Sequence, residues 1–137
     1  MDLKPATELL LGNLELTYPE GTKIPYLASS GCVQWQQPED QSAIARGPIP
    51  AGQYSIPTIP YWVETRGIEG WFFHITPDPV VVNGVTRGEF GIHFDANVPG
   101  SAGCIVLQRS SGWKRFCERM QLIAKCGVES LPLEVRY

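Results

Sequence analysis

The sequence predicts a mainly β domain (β-rich α+β) with one C-terminal helix, and three observations predict it. Apolar runs are short and alternate with polar residues, as in Leu14-Glu15-Leu16-Thr17-Tyr18. Twelve prolines and 14 glycines are spread along the chain and break those runs apart. Only one stretch, near the end, repeats its apolar residues at helical spacing.

The elements follow in order. Leu14 to Tyr18, the turn Pro19-Glu20-Gly21-Thr22 and the return run Lys23 to Ala28 predict a hairpin. Cys32-Val33-Gln34-Trp35 predicts a further strand, and 36–50 a polar, proline-rich loop. Gln53 to Ile56 resumes the β pattern. Tyr61-Trp62-Val63-Glu64 and Trp71-Phe72-Phe73-His74-Ile75 are aromatic and β-branched, as strands prefer. Val80-Val81-Val82 runs into Asn83-Gly84, a tight-turn signal. Glu89 to Phe94 predicts another strand. Trp113, Phe116, Met120, Ile123 and Ala124 predict a helix over about 112–126, with Ser111 as N-cap and Gly127 as its stop. Leu131 to Tyr137 predicts a closing strand. With no repeat or linker, 1–137 reads as one domain.

The composition excludes several functions. A net charge of −3 without a basic cluster does not fit a nucleic-acid binder. No apolar run is long enough to insert in a membrane. The first residues lack the apolar core and cleavage site of a Sec signal, so synthesis in the cytoplasm is expected. The cysteines at 32, 104, 117 and 126 have neither zinc-finger nor disulfide-scaffold spacing. Cys32, Cys117 and Cys126 are expected as small buried hydrophobes.

Cys104 is different. It follows Pro99-Gly100-Ser101-Ala102-Gly103 and precedes Ile105-Val106-Leu107. Small residues before a β-branched run predict a tight turn delivering the thiol to the start of a strand. Backbone N–H groups around Ser101, Ala102 and Gly103 would then serve as oxyanion donors. A thiol needs a base, and His93 ends an apolar strand shortly before it. Asp95 or the backbone carbonyl of Phe94 would orient that histidine. His74 reads as an ordinary strand residue.

These residues resemble a known family. His93 followed by Ser101-Ala102-Gly103-Cys104-Ile105 resembles the His…Ser-x-Gly-Cys-Ile signature of YkuD-type L,D-transpeptidases. Gly47-Pro48-Ile49-Pro50-Ala51-Gly52-Gln53-Tyr54 is similar to another segment of that family. Asn83-Gly84-Val85-Thr86-Arg87-Gly88-Glu89-Phe90-Gly91-Ile92-His93 is most similar to the L,D-transpeptidase-like effectors of type VI secretion. The resemblance implies a β-sandwich of mixed sheets and an L,D-transpeptidase or L,D-carboxypeptidase that acts on tetrapeptide stems. Cys104 would be the nucleophile and His93 the base, with no metal or organic cofactor. It implies peptidoglycan stem peptides, secretion machinery and an immunity protein as partners, and action in the periplasm of a target cell. Arg87 would hold a substrate carboxylate or support a loop, and Tyr54 and Trp71 would line the groove or the core. Ala102 and Val106 stand where most members have histidine and arginine, and Phe94 where many have glycine. Those changes bear on the acceptor, so hydrolysis or D-amino-acid exchange stands beside transpeptidation. The alternatives are a peptide-binding module of the same fold, or a phage or housekeeping wall hydrolase.

Overall fold

In a computed structural model, residues 12–32, 36–44, 46–64, 70–94 and 100–137 are described. The main sheet has six strands: β1 (Gly12–Thr17), β2 (Lys23–Cys32), β4 (Tyr61–Val63), β5 (Gly70–His74), β8 (Gly91–Phe94) and β9 (Gly100–Leu107). Their order is β1-β2-β9-β8-β5-β4, and all neighbours are antiparallel except β8 and β9. Two small antiparallel ribbons complete the β structure. One pairs β3 (Gly52–Pro57) with β10 (Ser130–Val135), and the other pairs β6 (Val80–Val82) with β7 (Val85–Arg87). A single helix, α1 (Ser110–Lys125), follows β9. The protein is thus a mixed-sheet, β-rich domain with one C-terminal helix, and its described residues form no closed barrel.

Strand alternation decides where the core sits. Leu14, Tyr26, Ala28, Leu107, Ile105, Ile92 and Phe73 are cross-strand neighbours on one face. That face packs under α1, whose buried residues are Phe116 and Met120. Phe116 meets Phe73 and Tyr26 edge-on, with ring centroids 5.3 and 5.4 Å apart. Such contacts add to the burial that dominates core energetics.

The structure adjusts several expectations. Cys32 closes β2 instead of opening a new strand, while residues 33–35 lie outside the described set. The Asn83-Gly84 turn requires a return strand, β7, which the pattern alone did not single out. Both turn residues have positive φ, 49° and 77°, as a tight hairpin demands. The expected strand from Glu89 starts only at Gly91, because Glu89 itself sits at φ 61°. The helix begins at Ser110, so Arg109 occupies the N-cap and Ser111 lies inside the first turn. Cys126 is exposed, unlike the half-buried Cys32 and Cys117.

Candidate active site

The face of the sheet opposite α1 carries the candidate chemistry. His93 pairs with Val106, and Val106 pairs with Ser29. On the other side of β8, the register of Phe73 with Ile92 sets Phe72 beside His93, and Tyr61 pairs with Phe72. Tyr61, Phe72, His93, Val106 and Ser29 therefore form a row across five strands on one face. Cys104 lies two residues before Val106 on the same strand, so it shares that face and sits diagonal to His93.

Cys104 is inside β9, not at its start. β2 pairs Ser30 with Ile105 and Cys32 with Gly100, so β9 advances five residues where β2 advances two. This is a bulge, a device that re-aims a side chain within a sheet. Gly103 makes it possible. Its φ is +123°, and a Cβ there would come within 2.6 Å of the Phe90 ring and 2.7 Å of the Arg87 guanidinium. Ser30 holds the bulge: its hydroxyl donates to the Gly103 carbonyl at 3.0 Å and accepts from the Ile49 N–H at 2.8 Å. The backbones of Ser101 and Ala102 belong to β9, while their side chains lie outside the described set.

The thiol faces a turn held in an unusual conformation. Cys104 Sγ donates to the Glu89 carbonyl at 3.6 Å. Burial pushes its pKa up to about 11, a Gly91 backbone hydrogen bond pulls it down, and the Glu89 charge raises it further. Glu89 is kept at positive φ by Asp78, whose Oδ1 accepts its N–H at 3.0 Å. Asp78 Oδ2 lies 3.3 Å from His74 Nε2. His74 thus braces the turn against which the thiol rests.

His93 is 5% exposed, and its Nδ1 lies 3.0 Å from the Phe94 carbonyl oxygen. A carbonyl only accepts, so in the neutral ring Nδ1 carries the proton and Nε2 is the basic nitrogen. Asp95, the other candidate orienter, lies outside the described residues. Phe72 stacks on the imidazole, centroids 5.8 Å apart and planes 21° apart. Its ring covers Gly91, where an added Cβ would come within 2.0 Å of it.

The remaining sequence candidates fall elsewhere. Arg87 is 4% exposed, and its guanidinium donates to the carbonyls of Gln41, Gly47 and Pro48. Its geometry is that of a loop support, with a cation–π contact to Phe90 at 5.2 Å. Tyr54 is buried in β3 with its hydroxyl on the Pro50 carbonyl at 2.7 Å. Trp71 points to the opposite face from His93 and meets Trp62 edge-on at 5.3 Å. Sequence reasoning missed Phe72, Tyr61 and Asp78. The alternation of β4 and β5 offered a signal for the first two. Tyr61 is half exposed, and its pKa is raised by burial and then by the Cys104 and Asp78 charges. Among the described residues, no group of three or more His, Cys, Asp or Glu is placed to hold a metal ion.

The segment from β2 to the start of β10, residues 26–130, matches the model of the Tlde1 domain. The chain belongs to the Tlde1 domain family. That family is YkuD-like, peptidoglycan-associated and linked to type VI secretion effectors. Neither a curated protein nor a solved structure matches the chain. The match to the Tlde1 domain takes in the bulged strand, the His93 strand and the Arg87 clamp together.

Proposed function

We propose that this Tlde1 domain is a peptidoglycan-modifying cysteine enzyme that acts on tetrapeptide stems as an L,D-carboxypeptidase or by D-amino-acid exchange. One observation carries the reading: the parallel pairing of β8 and β9 sets His93 and Cys104 on one face, one pleat apart, with Nδ1 engaged by Phe94. A thiol pushed up to about 11 is protonated at neutral pH. His93 Nε2 therefore takes the proton as attack begins, in place of a standing ion pair.

Cys104 Sγ attacks the carbonyl on the L-centre of the diamino acid. The N–H groups of Cys104 and of Gly103 or Ala102 receive the developing oxyanion, a contribution of about 2.7–4 kcal/mol per donor. The carbon–nitrogen bond to D-alanine breaks, and the leaving amine takes the proton from His93. Water then cleaves the thioester to give a shortened stem, or a free D-amino acid replaces the one lost. The domain works as an antibacterial effector in the periplasm of a target cell, carried there by the type VI machinery and neutralised in its own cell by an immunity protein.

Cys104→Ala and His93→Ala, each incubated with tetrapeptide muropeptides, test this. D-Alanine release should fall at least a hundredfold in both. Release at the wild-type rate in either variant sinks the reading. The buried, high-pKa thiol favours a second reading, a module that binds stem peptide without turnover. In that case wild type and Cys104→Ala would bind muropeptide equally and neither would release D-alanine.

A further inference from the structure

A second recess lies on the helix side of the sheet, away from Cys104. It has a volume of about 380 Å³ between the start of α1 and β1–β2. Three arginines line it: Arg109 at the N-cap, and Arg115 and Arg119 one turn apart on the helix. The chain as a whole carries a net charge of −3, so this concentration of positive charge runs against its composition. Among the described residues, no carboxylate oxygen lies within 4.0 Å of any of the three. Arg115 and Arg119 stand four residues apart on the helix and repel one another, and an anion between them relieves that repulsion.

The recess also contains a buried donor. Tyr26 is 5% exposed and lines it, and its hydroxyl has no hydrogen-bond partner among the described residues. Arg119 stands beside it and favours the ionised phenol by its charge and as a side-chain donor, and its Nη1 is 3.4 Å from the Tyr18 hydroxyl; a guanidinium only donates, so the Tyr26 O–H proton is left without an acceptor among the described residues. Burial outweighs that charge and keeps Tyr26 protonated, able to donate. A buried polar group without a partner is costly, and a ligand oxygen would recover that cost. Ser111 and Gly112, in the first turn of α1, also line the recess, and the helix N-terminus has no side-chain cap.

We propose that this recess binds a phosphate-type oxyanion, free or as a monoester, through Arg109, Arg115, Arg119 and the Tyr26 hydroxyl. Guanidinium forks match phosphate oxygens bidentately, and the tyrosine supplies the neutral donor. The site stands apart from the Cys104–His93 reading and holds or fails without it.

The test titrates the full chain with inorganic phosphate and with glycerol phosphate by calorimetry, in sodium chloride of matched ionic strength, with sodium acetate as a control. Both phosphates should bind, and acetate at least tenfold more weakly. Arg115→Gln and Arg119→Gln should each weaken phosphate binding about tenfold, and Tyr26→Phe several-fold. Arg109→Gln, on an exposed N-cap, keeps the test open if a helix variant fails to fold. No binding heat beyond that of chloride overturns the proposal, as does acetate binding as tight as phosphate, or phosphate affinity unchanged in the arginine variants.

Discussion

Gly91→Ala is the sharpest probe of how the candidate site is packed. A Cβ at this position would stand 2.0–2.6 Å from three atoms of the Phe72 ring, closer than any real contact. The ring is buried and lies between Gly91, His93, Tyr61 and His74, so it cannot rotate away without disturbing them. Overpacking of this kind costs about 1–3 kcal/mol. For a chain of this size that lowers Tm by roughly 3–10 °C. Phe72→Ala alone should cost about 3–5 kcal/mol through the cavity it leaves. In the double variant the clash has no partner, so Gly91→Ala should add almost nothing to Phe72→Ala. The two changes should therefore couple by about 1–3 kcal/mol in urea unfolding, and D-alanine release should fall further in Gly91→Ala than its stability loss explains. Additivity within about 0.5 kcal/mol would refute the argument that Gly91 exists to seat Phe72 on His93.

Other outcomes follow from single contacts. Cys104 binds its proton more tightly when folded, with a pKa near 11 against an ordinary 9. Its contribution is fully present below about pH 9 and is lost as pH rises through about 11, a loss of about 2–3 kcal/mol. Cys104→Ala should flatten that part of the alkaline unfolding curve, and iodoacetamide labelling of Cys104 should climb over the same range. Glu89→Gln removes a charge that raises the thiol pKa, so the midpoint of labelling should move to lower pH. Glu89→Gly should instead stabilise the fold by about 1 kcal/mol in urea unfolding, because glycine accepts positive φ without strain. Arg87→Met removes three charge-assisted hydrogen bonds to backbone carbonyls, two of them buried, and should cost about 3 kcal/mol, read as a drop in Tm.

The strand pattern, the helix and the candidate pair Cys104 and His93 were legible in the sequence because each is marked by its neighbours along the chain. Trp113, Phe116 and Met120 repeat at helical spacing whatever they pack against, and Asn83-Gly84 turns whichever strands it joins. The bulge at Cys104 was not legible in the same way. It exists only relative to β2, where Ser30 and Cys32 pair with residues five apart on β9. Loop support was one of the two roles open to Arg87, but which loop it holds was not legible, because its three acceptors lie about 40 residues earlier in a segment with no pattern of its own. Asp78 acts through Glu89 and His74, contacts that no local spacing announces.

The hydroxyl of Ser30 ties two distant parts of the chain into one mechanical unit. It takes the Ile49 N–H from the segment clamped by Arg87 and gives its own proton to the peptide just before Cys104. Because the hydroxyl has a single proton, its orientation is fixed by whichever acceptor it serves. If the loop swings outward, the Ile49 N–H loses its acceptor and the hydroxyl keeps only the bond it donates to Gly103. The loop and β9 are therefore linked through two hydrogen bonds in series, each of which strengthens the other. Fraying of residues 47–50 would weaken the hold of Ser30 on the peptide just before Cys104.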